Sequence, residues 1–274
     1  MVTKPLPDAE IDLDAYLARI GYEGLLSPTG GVLADLHLAH ATHIPFENID
    51  PLLGITPQLD LDSLQAKLIR SRRGGYCFEQ NMLFAAVLEQ VGFQVTRLAA
   101  RVWYRAVRRL PRTHMLLRID LAERPWVADV GFGVEGLLQP LPLIDGRETP
   151  QFAWAYRLVR GTGTWMLQYR DRDGWADLYE FSEEPQDPVD YQPPNHYVAT
   201  HPSSPFIRTL TAQLPTPDAR FVLRGRDLIT DYGDRVETRT VPEGEVLDVL
   251  DRTFGLRLPA GTCLPDTSLE SPAT

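Results

Sequence analysis

The sequence predicts an α+β protein in three parts: an N-terminal helical bundle, a central antiparallel β-barrel and a small C-terminal mixed α/β unit. Three observations predict it. Apolar residues recur at helical spacing through the first third of the chain. Short β-branched and aromatic runs, separated by turn residues, fill the middle. Strand-like segments followed by one helical segment close the chain. The expected boundaries are 1–91, 92–205 and 206–274.

In the first part, Leu13, Tyr16, Leu17 and Ile20 fall at i, i+3, i+4, i+7, and Gly21 ends that helix. A second helix is expected from about Gly31 to Thr42, stopped by Pro45. Asp60 or Asp62 is placed to cap a short helix over "SLQAKLIR". Cys77 to Val91 is rich in helix formers, with Gly92 at the C-cap position. From Phe93 onward "FQVTRLAARVWY", "THMLLRI", "WVADVG", "YRLVRG" and "WMLQYRDRDGWADLYEF" read as successive antiparallel strands. Residues 183–205, with prolines at 185, 188, 193, 194, 202 and 205, read as a long surface connection. Strand-like "RFVLRGRDLITDYG" and "RVETRTV" follow, then a helix from about Glu243 to Thr253, and the tail "LPDTSLESPAT" is expected to be disordered.

Composition narrows the function. With 43% hydrophobic and 23% charged residues the chain is an ordinary soluble globular protein, without repeats or low-complexity stretches. A formal charge of −10 opposes nucleic-acid binding, which wants a basic face. The longest central apolar run, Met82 to Leu88, is far below the roughly 20 residues of a membrane span. The acidic, proline-broken start is no signal peptide, so a cytoplasmic location is expected, and with it no disulfide between Cys77 and Cys263. No Cys/His spacing matches a structural zinc site, and no metal is expected.

The candidate chemistry centres on "SRRGGYCFEQN", residues 71–81. Gly74 and Gly75 permit a tight turn, and a helix starting near Cys77 places the sulfur at the positive end of the helix dipole, where thiolate is favoured. Six histidines could serve as its base. His37, His40 and His43 recur every three residues and suggest a packed or solvated helix face, or a metal site lacking carboxylates; His196 and His201 lie in the proline-rich connection. His114 instead opens a strand and is followed by Asp129. If 120–123 is a hairpin loop, opposed residue numbers sum to 243 and His114 faces Asp129, which then accepts Nδ1–H and leaves Nε2 to the thiol. Pro125 must then avoid a ladder donor position. A loop at 122–125 keeps the faces and sets His114 opposite Gly133. A helix-borne Cys followed by His and Asp on strands is the papain-type layout, in which imidazole deprotonates sulfur and the carboxylate orients the ring.

Five blocks, "HIPFENID", "RRGGYCFEQN", "RTHMLLRI", "VADVGFG" and "NHYVATHPSSPF", come in the order and spacing of one family. From about Leu13 to Leu258 the sequence resembles the arylamine N-acetyltransferases. The resemblance implies a bundle, barrel and α/β lid, and maps the catalytic triad onto Cys77, His114 and Asp129. It implies acetyl-CoA as acetyl donor, no tightly bound cofactor, and a small aromatic amine, hydrazine or hydroxylamine as acceptor. It also implies an acceptor pocket at Phe46, Phe132 and Phe206, coenzyme A contacts at Thr113 and Gly133, and a supporting pair of Glu47 and Arg73. A role in xenobiotic metabolism and a homo-oligomeric state are compatible with it. The alternatives are an amide synthase of the same family using a larger acyl group, a cysteine hydrolase or transglutaminase-like enzyme, and a binding module that has lost turnover.

Overall fold

The computed structural model describes residues 10–133, 135–259 and 261–265. The part of the tail beyond 265 lies outside them. Polar side chains set the helix starts. Asp12 accepts the Ala15 N–H ahead of α1 (Leu13–Ile20), and Thr29 accepts that of Val32 ahead of α2 (Gly30–His43). After the two-residue strand β1 (Phe46–Glu47) comes α3 (Ile49–Leu52). Asp60, rather than Asp62, caps α4 (Leu61–Leu64), and a π-turn over Gln65–Arg70 carries the chain on. The long helix α5 (Cys77–Val91) ends at Gly92, as its sequence predicts.

The barrel strands are β2 (Gln94–Val102), β3 (His114–Asp120), β4 (Pro125–Ala128), β5 (Leu141–Pro142), β6 (Thr149–Gln151), β7 (Trp154–Arg160), β8 (Trp165–Asp171) and β9 (Gly174–Phe181). They form one antiparallel sheet ordered β5-β4-β3-β2-β9-β8-β7-β6, curled into a nearly closed barrel. Alternate residues such as Leu98, Ala100, Tyr156, Leu158, Leu167 and Tyr179 fill its interior.

The expected surface connection over 183–205 is partly helical: α6 spans Gln192–Thr200. Pro193 and Pro194 sit in its first turn, where backbone N–H groups have no intrahelical acceptor, so the missing donors cost nothing there. The lid then adds β10 (Thr211–Pro215), β11 (Arg220–Arg224), β12 (Asp227–Asp231), β13 (Val236–Thr240) and α7 (Val246–Phe254). Its sheet order is β1-β10-β11-β12-β13, so the lid borrows a strand from the first third of the chain. The sequence reading missed β10, because "TAQLP" has little β-branched content.

The β3–β4 hairpin corrects the expected register. Its loop is 121–124, Asp120 pairs with Pro125, and opposed numbers sum to 245. Pro125 takes the first position of its strand, where proline is tolerated. The ladder ends at Leu117–Ala128, so His114 and Asp129 are not direct partners but lie on one face, offset diagonally.

Candidate active site

Cys77 is the first residue of α5 and only 6% exposed. The preceding turn is built by close approach. A Cβ on Gly74 would sit 2.1 Å from the Pro45 carbonyl oxygen, and one on Gly75 would sit 2.7 Å from the Glu79 carboxylate. Glycine is therefore required at both positions. Glu79 occupies that space to accept the Tyr76 N–H at 3.1 Å, satisfying one of the free donors of the first helical turn. The Glu47 N–H donates to the Gly75 carbonyl at 3.1 Å, so "PFEN" runs alongside "GGYC".

Beneath the turn lies a network of charges. Arg73 donates to Glu47 Oε1 (2.9 and 2.6 Å) and to Asp50 (2.9 Å); Lys67 reaches Asp50 at 2.6 Å and Glu79 at 2.7 Å. The Glu47–Arg73 pair is thus present, and Lys67 joins it to Glu79. Burial pushes the Glu79 carboxyl up to about 7, against the pull of Lys67.

His114 and Asp129 meet through a 2.7 Å hydrogen bond from Nε2 to Oδ2. This reverses the ring orientation expected from sequence. Asp129 sits beyond the ladder and diagonal to His114, and the longer reach of Nε2 closes that offset, leaving Nδ1 for Cys77. The sulfur is within hydrogen-bonding reach of His114, and its S–H also points to the Thr113 carbonyl at 3.6 Å. Burial alone would lower the His114 pKa, but the Asp129 carboxylate and then Cys77 push it up to about 10. Burial would raise Asp129, but the His114 charge and donors from Asn81 and the Gly131 N–H hold it below the usual carboxylate range.

Residues missed by the sequence reading hold this arrangement. Asn81, one turn after Cys77, donates to Asp129 Oδ1 at 2.9 Å and to the Met115 carbonyl at 2.7 Å, and accepts the Val130 N–H at 3.1 Å. His37 Nε2 accepts the Asp129 N–H at 3.1 Å, while its Nδ1 donates to the Leu138 carbonyl. His40 bridges Tyr16 and Gln80. Burial lowers His37 to about 4 and His40 to about 3, so both are neutral struts. The only hint in the sequence was an asparagine, a poor helix former, one turn from the candidate nucleophile. Among the described residues there is no cluster of three or more His, Cys, Asp or Glu that could hold a metal, and no helix is long and apolar enough to cross a membrane.

The three phenylalanines lie near Cys77, His114 and Asp129 by different routes: Phe132 directly, Phe46 across a small gap, and Phe206 through Tyr76. Phe132 meets His114 edge-on at 5.2 Å and packs on Tyr179, while Phe46 contacts Phe206, which contacts Tyr76. Phe46, Asp129, Phe132 and Gly133 line a gap of about 10 Å³, room for a single water at most. Gly131 lies against the nucleophile's helix: a Cβ there would be 2.8 Å from Cys77 Cα. Gly133, at φ +97°, abuts Gln213 of β10, where a Cβ would fall 2.0 Å from Oε1.

Comparisons with known proteins address the chain as a whole. A family model described as N-acetyltransferase matches residues 31–263. The arylamine N-acetyltransferase of Mycolicibacterium smegmatis is 41% identical over 255 residues, covering 90% of this chain and 93% of that one. The crystal structure of Nocardia farcinica arylamine N-acetyltransferase superposes with a TM-score of 0.87 at 44% identity, covering 92% of both chains. The Mycobacterium marinum enzyme in complex with CoA gives 0.86 at 38% identity, covering 89% of this chain and 93% of that one. Matched along most of its length in both sequence and backbone, the chain belongs to the arylamine N-acetyltransferase family.

Proposed function

We propose that Cys77, His114 and Asp129 carry an acetyl group from acetyl-CoA to an arylamine, hydrazine or hydroxylamine in two half-reactions. The family is one of acyltransferases that work by a ping-pong mechanism, and acetyl-CoA is the donor substrate. The observation that carries the assignment of roles is the His114 ring: Asp129 holds its Nε2, Nδ1 is left for the sulfur, and the ring keeps its proton through the neutral range. A ring so held can take the proton from sulfur, and that transfer gives the thiolate–imidazolium pair, whose positive end Asp129 stabilises.

In the first half-reaction the Cys77 thiolate attacks the thioester carbonyl. The C–S bond to coenzyme A breaks, and the departing thiolate takes the His114 proton. Exchange of one thioester for another is nearly balanced, so the acetyl-enzyme can wait for its acceptor. In the second, the amine nitrogen attacks and the Cys77 sulfur leaves. The proton lost from nitrogen goes to Nδ1, restoring the starting pair. Asp129 fixes the ring and stabilises its charge throughout. Phe46, Phe132 and Phe206 give the aryl ring an apolar, water-poor wall, and Thr113 and Gly133 border the coenzyme A arm. Glu47 and Arg73 brace the turn from below.

Incubation with acetyl-CoA alone should add one acetyl group to Cys77 by intact-mass and peptide analysis, with parallel double-reciprocal plots when an amine is varied. Normal turnover by Cys77→Ala, or no adduct on Cys77, would overturn the assignment.

A further inference from the structure

One concavity lies away from the triad. It is a cleft of about 840 Å³ between the barrel and the lid sheet, within the size range of small-molecule sites. Its walls include Tyr104, Tyr169, Trp154 and Arg220. Arg220, the first residue of β11, is only 2% exposed. Its guanidinium carbon stacks 3.9 Å from the Trp154 ring centroid, and Nη2 donates to the Tyr156 hydroxyl.

What this arginine lacks is an anion. Asp231 stands opposite it in the β11–β12 register, yet among the described residues no carboxylate lies within ion-pair distance, and Nε has no hydrogen-bond partner. Other buried cations are satisfied. Arg73 and Lys67 each contact two carboxylates, and Arg19 donates to the carbonyls of Leu68, His43 and Arg73. A buried guanidinium that offers only donors, with one hydroxyl acceptor, is costly unless something else supplies lone pairs.

Its place relates it to the reaction. Tyr104, on the cleft wall, lies 6.3 Å from Phe132, and Phe132 lies 5.2 Å from His114. The cleft therefore begins one aromatic layer from the triad. The rest of the lining is mixed in charge, with Glu135, held by Tyr104, and Asp231 facing Arg105, Arg170 and Arg224, so Arg220 is set apart by its burial and unfilled donor rather than by the sign of its surroundings.

We infer that Arg220 is an oxyanion subsite, receiving a phosphate or carboxylate on the distal part of a substrate whose reacting end lies at Cys77. The inference rests on the acyl-transfer reading above. Two sources share the chemistry: the phosphates of the coenzyme A donor, and a carboxylate on an aromatic amine acceptor.

The test compares Arg220→Gln and Arg220→Lys with the unaltered protein, using two ratios of kcat/KM. The donor ratio sets acetyl-CoA against S-acetylpantetheine, the same thioester without phosphates. The acceptor ratio sets 4-aminobenzoate against aniline. One ratio should fall about tenfold in Arg220→Gln, the size of a lost hydrogen bond to a charged group, and recover partly in Arg220→Lys. A fall in the donor ratio assigns the phosphate, and a fall in the acceptor ratio assigns the carboxylate. Both ratios unchanged would overturn the inference. Should Arg220→Gln not fold, the unaltered protein gives the answer: benzoate should inhibit more strongly than benzamide, or pyrophosphate should compete with acetyl-CoA. Equal inhibition by benzoate and benzamide, with none by pyrophosphate, would overturn it as well. Acetylation of Cys77 by acetyl-CoA, read by mass, tests the underlying reaction separately.

Discussion

The side-chain amide of Asn81 and the carboxylate of Asp129 are joined by a 2.9 Å hydrogen bond, so the helix that begins with Cys77 also grips the group that orients His114. Because Cys77 and Asn81 are one helical turn apart, the spacing of nucleophile and orienter is built into a rigid element. Asn81→Leu removes three hydrogen bonds at a fully buried position and leaves the Val130 N–H, the Met115 carbonyl and Asp129 Oδ1 short of partners. We expect about 2–4 kcal/mol of destabilisation in urea unfolding. In folded protein, kcat should fall more than KM rises, because the triad is displaced.

Gly131→Ala tests the packing of the strand-end loop on the nucleophile. A Cβ there would press on Cys77 Cα, the Cys77 carbonyl and the Asn81 amide, all within 2.9 Å. Two of these contacts are backbone, which cannot rotate away. The expected cost is about 1–3 kcal/mol of thermal or urea stability, with slower formation of the acetyl-enzyme in stopped-flow.

Lys67→Met leaves Asp50 and Glu79 without their shared cation. Burial then drives Glu79 further toward its neutral form, and a neutral carboxyl accepts the Tyr76 N–H more weakly. The loss should be about 3 kcal/mol, larger at pH 8 than at pH 6, because Glu79 is already partly protonated in mild acid. Urea unfolding at the two pH values measures it.

His37 and His40 are neutral in the folded protein, with pKa values held near 4 and 3 by burial. An unfolded histidine binds its proton near pH 6.5, so between there and pH 4 the unfolded chain takes up more protons. Their contribution is present above about pH 6.5 and lost as pH falls. His40→Gln, which can still donate to Gln80 and accept from Tyr16, should flatten the acid side of the Tm–pH curve.

His114 works in the opposite direction. Its folded pKa is raised to about 10, so its contribution is full below about 6.5 and disappears as pH rises toward 10. Asp129→Asn removes the charge that holds the proton. The imidazole titration, followed by NMR, should then move down toward neutrality, and the alkaline loss of stability should shift with it.

Much of this was legible in the sequence because the signals were local. The helix from Cys77 to Val91 follows from helix formers and one capping glycine, and the Cys-His-Asp set follows from chemistry plus alternation along a strand. What failed was anything that depends on tertiary offset. The two-unit error in the β3–β4 register came from the placement of Pro125, and it carried through to the wrong ring nitrogen. Asn81, Lys67 and the contact of His37 with Asp129 were not legible for a related reason. The partners of these side chains lie 12 to 101 residues away, and only the assembled fold brings them together. The helix at 192–200 was hidden by its own prolines, which mark a loop in most settings and a first turn here.

Strand β1 is only two residues long, yet it joins the helical bundle to the lid. Phe46 bridges to Gly75, beside the nucleophile, and pairs with Gln213 in the lid. During synthesis the helix bearing Cys77 leaves the ribosome well before residue 213 does. The nascent bundle therefore waits with one edge of its reactive turn unpaired. Assembly of the nucleophile's surroundings becomes a late event in biogenesis, and truncation upstream of residue 213 leaves a thiol without its final seat.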